Sequence, residues 1–132
     1  MRALICAEPG RLERAERPLP EAPEGWVAVD IRHVGVCGTD FHIFEGTHPY
    51  LAYPRIMGHE LSGTVAAASP SERLRAGEPV IINPYISCGT CIACRRGKPN
   101  CCVAIKVLGV HTDGGMCERI VMPEENLYPA GD

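Results

Sequence analysis

Apolar positions come along this chain in short, partly alternating runs. Met1 to Ala7 and Trp26 to Val36 are rich in Val, Ile and Leu, and Pro18, Pro20 and Pro23 break the stretch between them, so both runs read as strands. Leu61 to Ala68 and Pro79 to Asn83 repeat the pattern, separated by Ser69, Pro70 and Gly77. Val107 to His111 and Met116 to Met122 flank Thr112-Asp113-Gly114-Gly115, which reads as a hairpin whose two glycines supply positive φ. One helix is predicted, Thr39 to Glu45, with Thr39 available as its cap and Phe41 and Phe44 on one side. From Cys88 to Cys102 the strand pattern lapses, as in an inserted lobe. No repeat, low-complexity tract or long linker divides the chain.

Composition sharpens this picture. Glycine (14) and proline (12) together take a large part of the 132 residues, above the roughly 12% of average usage, which favours turns and short strands over long helices. With 45% apolar and 22% charged residues the chain has the make-up of a single globular domain, long enough to bury a core without disulfides. A formal charge of −3 gives no footprint for nucleic acid or an anionic membrane and favours small-molecule partners. Met1 to Gly10 passes from a short apolar run into Glu8 and Pro9; it has neither the apolar stretch of a signal peptide nor the length of a membrane span, so a cytoplasmic location is expected. Eight cysteines would suggest a disulfide framework in a secreted chain, but most crowd into one segment without an export signal, and a metal is the better reading.

That segment carries the strongest local signal. Cys88, Cys91 and Cys94 are spaced C-x2-C-x2-C and Cys102 follows after seven residues, so four thiolates can converge on one tetrahedral ion. Gly89 and Gly97 permit tight turns, and the loop has too few apolar side chains to fold on its own packing. Cys101, next to Cys102, is a rival fourth ligand. Zinc ranks above an iron–sulfur cluster, whose bacterial run would continue with three residues and then Cys-Pro, whereas here the gap is seven and Val103 follows. A zinc ribbon for nucleic acid is weaker, since Arg95, Arg96 and Lys98 are the lobe's only cations and read as a solvated face.

A second constellation lies in Val36-Cys37-Gly38-Thr39-Asp40-Phe41-His42 and Gly58-His59-Glu60-Leu61-Ser62-Gly63. Cys37, His59 and Glu60 offer a thiolate, an imidazole and a carboxylate, the mixed set of a catalytic zinc. Each motif alone is weak: a lone Cys beside a strand is more often core, and a lone His or Glu more often an ordinary surface group. Asp40 is either a partner that orients a metal-bound imidazole or a cap at the helix start. His33, His48 and His111 have no partner spacing and receive no role, although His111, beside the glycine turn, is the best placed to face a pocket.

The two motifs in this order, then Gly77-Glu78-Pro79-Val80 and then the cysteine lobe, resemble the zinc-containing medium-chain dehydrogenase/reductases over nearly all of the chain. The resemblance implies a mainly β fold, a GroES-like, partly open β-barrel with an inserted four-cysteine zinc lobe at 88–102 and one short helix. It implies that Cys37 and His59 bind a catalytic zinc with Glu60 as ligand or alternate ligand, and that Asp40 stands behind the histidine. Thr39 and His42 match the residues that relay the hydroxyl proton in threonine- and polyol-dehydrogenase relatives, and zinc-assisted loss of that proton would precede hydride transfer to nicotinamide. The stretch Val107 to Gly115 most resembles enzymes of sugar acids and polyols. The full-length protein would be a homo-oligomer acting on a small-molecule alcohol.

No G-x-G-x-x-G run after a strand occurs in these residues. Residues 1–132 are therefore expected to be the catalytic domain alone, inactive by itself, with the NAD- or NADP-binding domain and a further zinc ligand lying past Asp132. A stand-alone metal-binding barrel that uses the lobe for protein interaction is the competing expectation.

Overall fold

A computed structural model describes residues 1–67, 71 and 73–131. Strands β1 (Arg2–Glu8) and β2 (Arg11–Glu16) open the chain, followed by β3 (Trp26–Gly35), helix α1 (Gly38–Glu45), β4 (Arg55–Ile56), β5 (Glu60–Val65) and β6 (Pro79–Ile82). The lobe contributes β7 (Tyr85–Ile86), helix α2 (Ile92–Arg95) and β8 (Lys106–Val107), and β9 (Arg119–Pro123) and β10 (Leu127–Pro129) close the fold. A five-stranded antiparallel sheet runs β10-β6-β5-β3-β9, and a three-stranded sheet runs β2-β1-β4. A bridge between Ala3 and Cys117 joins the two, giving the mainly β, partly open barrel the sequence predicts.

The period-2 patterns drive the core. Leu61, Gly63 and Val65 of β5, Val80 and Ile82 of β6, and Ile120 and Met122 of β9 turn inward while their neighbours face out. With Val27, Val29 and Leu127 they form the main cluster. A second cluster of Cys6, Ile43, Met57 and Val110 seats α1 on β1. Burying Ile43 completely stabilises that docking by about 2–3 kcal/mol. Among the described residues no helix is long and apolar enough to cross a membrane.

Two sequence expectations need correction. The hairpin of 107–111 with 116–122 does not form: β8 pairs with β7, and β9 pairs with β3 from Trp26↔Pro123 to Asp30↔Arg119. Alternation marks a strand but does not name its partner. Nor do Gly114 and Gly115 take positive φ. They are small because a Cβ on Gly114 would run into the carbonyl oxygens of Met57 and Gly58, and one on Gly115 into the Leu61 side chain. This close approach lets Gly114, Gly115 and Met116 donate to the carbonyls of Ile56, Gly58 and Met57 at 2.7, 2.9 and 2.9 Å, which clamps the backbone just before His59.

The predicted helix starts one residue earlier than Thr39, and its N-cap is Cys37, not Thr39. Strand β2, the two-residue strands, β10 and α2 were outside the sequence reading. Ala68, as the end of a strand, the Ser69-Pro70 break and Asp132 lie outside the described residues.

Candidate metal centres

In the lobe, Cys91 caps α2, Cys94 sits on it, Cys88 lies in the loop after β7, and Cys102 follows a 3-10 turn at Pro99–Cys101. Gly89 and Gly97, with φ of 69° each, turn the chain back on both sides of the helix. The four sulfurs all lie within 4.8 Å of one another. Cys91 and Cys94 are 3.5 Å apart and Cys88 and Cys94 4.0 Å, against about 3.8 Å for two thiolates on one tetrahedral zinc. Cys102 is buried and joins the cluster, whereas Cys101 is exposed and does not.

Backbone N–H groups prepare these sulfurs for negative charge. Those of Cys88 and Ala104 point to Cys102 Sγ at 3.3 and 3.4 Å. Donors from the Thr90 and Cys91 backbone, then the Thr90 hydroxyl, hold the Cys88 thiol down to about 6. The backbone N–H groups of Cys94 and Val103 lower Cys91 as well. Desolvation and its sulfur neighbours push Cys94 up to about 11.

The second cluster joins α1 to the start of β5. Cys37 Sγ lies 3.1 Å from His59 Nε2, close to the roughly 3.5 Å separating sulfur and nitrogen ligands of one zinc. Asp40, 2% exposed, caps the helix start and stands behind the histidine without bonding to it. Its Oδ2 accepts the Cys37 N–H at 3.0 Å at the helix start, and its Oδ1 faces His59 Nδ1 at 3.9 Å. Those two facing atoms are buried without a hydrogen-bond partner. A ring held at Nε2 by a cation would turn Nδ1–H toward this carboxylate, so the donor set fits a metal.

Glu60 is not part of this group. It opens β5, exposed, opposite Gly35 of β3, where a Cβ would collide with its side chain. Thr39 and His42, three residues apart on α1, lie on one helix face. His42 is exposed, with its ring 3.0 Å from the hydroxyl of Thr47, a residue that sequence reasoning passed over although Gly46 before it marks the helix end. His111 stacks on Tyr50 at 6.4 Å, and Tyr50 meets His48 edge-on at 6.2 Å. Burial pushes the His48 ring down, and nearby His42, His111 and His59 act in the same direction. Four imidazoles therefore gather on this side of the barrel, whereas His33 bonds Ser62 across β3 and β5 at 3.2 Å. A cavity of about 300 Å³, lined by Leu4, Val36, Asp40, Phe41, Phe44 and Met57 among others, lies beside the cluster.

Comparison with known proteins gives the family. The chain is similar to the starvation-sensing protein RspB of Escherichia coli K12, 41% identical over 129 residues, which cover 97% of this chain and 38% of RspB. It is also 39% identical to the L-galactonate-5-dehydrogenase of the same organism, over 98% of this chain and 38% of that one. Among solved structures, the rspB alcohol dehydrogenase of Escherichia coli CFT073, complexed with NADH, superposes with a TM-score of 0.87 at 39% identity, over 98% of this chain and 38% of that chain. The chain spans 38% of the length of these curated relatives. The profile of the alcohol dehydrogenase GroES-like domain matches residues 23–132, and the chain belongs to that family.

Proposed function

We propose that residues 1–132 act as the catalytic domain of a zinc-dependent, NAD(P)-linked dehydrogenase that oxidises a secondary hydroxyl of a polyol or sugar acid. The observation that carries this reading is the pairing, in one chain, of a closed four-sulfur cluster with an open one in which, among the described residues, Cys37 and His59 meet with Asp40 behind them. Closed thiolate sets suit structural zinc; sets with few protein ligands leave room for a substrate oxygen. The relatives named for L-galactonate and complexed with NADH support the substrate class and the cofactor.

Cys88, Cys91, Cys94 and Cys102 would hold the structural zinc, and Cys37 and His59 the catalytic one; Glu60, whose carboxylate lies over Gly35 in this structure, would become an alternate ligand by rotation of its side chain. Bound there, zinc supplies Lewis-acid polarisation of a hydroxyl oxygen. Asp40 orients the His59 ring, Thr39 passes on the proton released from the hydroxyl, and His42 receives it. Nicotinamide binding is assigned to none of these residues. A cytoplasmic location and assembly into a homo-oligomer complete the reading.

The test is one preparation of the intact protein and its Cys37→Ser variant, assayed for zinc and for alcohol-dependent reduction of NAD or NADP. Two zinc ions per chain with turnover, and one zinc without turnover in the variant, are expected. Normal turnover in Cys37→Ser would exclude the mechanism.

A further inference from the structure

A neutral imidazole carries one proton on either of two nitrogens, and only the bare one accepts. At the end of α1 the His42 ring meets one side-chain partner able to select between them, the Thr47 hydroxyl. Gly46 closes the helix with φ of 80° in a space where a Cβ would lie 2.7 Å from the Pro9 ring. Thr47 is thereby folded back on the last turn, and its N–H donates to the His42 carbonyl at 2.9 Å. Its hydroxyl lies 3.3 Å from the same carbonyl and 3.0 Å from His42 Nδ1. A hydroxyl has one proton to give. Donated to the carbonyl, it leaves a lone pair toward Nδ1, and Nδ1 must then be the donor.

We infer that Thr47 is a positioning residue that holds neutral His42 as its Nδ1–H tautomer, leaving Nε2 bare as the proton acceptor. The neighbouring rings are set the other way. His48 Nδ1 accepts the Tyr50 N–H at 3.4 Å and His111 Nδ1 accepts the Val107 N–H at 3.1 Å, so their neutral forms carry the proton on Nε2. Of these three histidines only His42 presents a bare Nε2. The catalytic consequence rests on the proposed relay: the proton leaving the substrate hydroxyl by way of Thr39 reaches Nε2, the ring becomes a cation while Nδ1–H stays on Thr47, and exposed His42 returns the proton to solvent.

The tautomer can be read in this chain without turnover, by long-range 1H–15N spectra of imidazole-labelled protein at a pH where the rings are neutral, with His42 assigned through a His42→Gln variant. A protonated Nδ1 and bare Nε2 at His42, and the reverse at His48 and His111, are expected. Thr47→Ser should keep this pattern, and Thr47→Val should move His42 to Nε2–H. An Nε2–H signal in the unaltered protein, or a tautomer indifferent to Thr47→Val, would overturn the inference. In the intact protein Thr47→Val should lower kcat about tenfold or more with KM little changed, and Thr47→Ser should restore it. A tautomer that switches while kcat stays put would uphold the inference about Thr47 and defeat the reading of His42 as acceptor.

Discussion

At the scale of single residues, what could be read in advance was whatever depends on short spacing. The four lobe cysteines lie within fifteen residues, so local turns suffice to bring them together. The choice between Cys101 and Cys102 was beyond spacing, because it depends on which neighbour the 3-10 turn at Pro99–Cys101 directs inward. Cys102 is 6% exposed and receives two backbone N–H groups; Cys101 has no place in the cluster. Cys102→Ser should therefore cost the chain its lobe metal and lower its melting temperature, while Cys101→Ser leaves both unchanged, as elemental analysis and calorimetry can check. That Asp40 takes the helix-start N–H on one oxygen while the other faces His59 is a fact of rotamer and register. Glu60 shows the converse: although adjacent to His59 in sequence, it opens β5 with its carboxylate over Gly35 of β3, outside the group formed by Cys37, Asp40 and His59.

At the scale of elements, apolar alternation located β1, β3, β5, β6 and β9, but was silent on β2, whose Arg11–Glu16 run is nearly all exposed and mostly charged. Such an edge is held by main-chain pairing to β1 rather than by burial. Pairing partners were equally hidden, since β3 pairs with both β5 and β9, the latter about ninety residues away. Another long-range tie fastens the loop before β6 to the 3-10 turn at Glu124–Asn126. The Glu124 carboxylate accepts the Ser71 hydroxyl and, at 3.1 Å, the Arg73 N–H, while the Arg73 guanidinium donates to the Glu124 and Leu127 carbonyls. The Ser71 bond first, then the Arg73 contacts, hold Glu124 below the ordinary glutamate range. A carboxyl lowered by folding adds stability that is present above its unfolded pKa, about 4.3, and is lost as pH falls through the lower folded value. Glu124→Gln should accordingly be less stable than the parent at pH 7 and lose less between about pH 5 and pH 3, so that their urea midpoints converge in acid. Parallel curves across that range would show that the carboxylate makes no such contribution.

At the scale of the whole molecule, the barrel and the lobe are stabilised by different means. The main apolar cluster draws on β3, β5, β6, β9 and β10, and from the lobe's margins it takes only Ile86 and Leu108. Between those two residues the described side chains are mostly exposed, Val103 at 80% among them, so the segment has little apolar surface to bury and its order depends on what binds its four sulfurs. The open cluster differs again. Cys37 and His59 come from separate elements tied down by the capping of α1 and by the Gly114-Gly115 clamp, so main-chain bonds contribute to their placement. A graded chelator titration followed by hydrogen–deuterium exchange should distinguish these dependences. Zinc at Cys37 and His59, with few protein ligands, should leave first, and exchange in β3 and β5 should scarcely change. The lobe zinc should leave at higher chelator strength, and exchange should then rise sharply from Cys88 to about Ile105 while the five-stranded sheet stays protected. Loss of protection throughout the sheet when the lobe zinc departs would show that the four-sulfur cluster supports the barrel as well as its own loop, and the division of labour argued here would have to be abandoned.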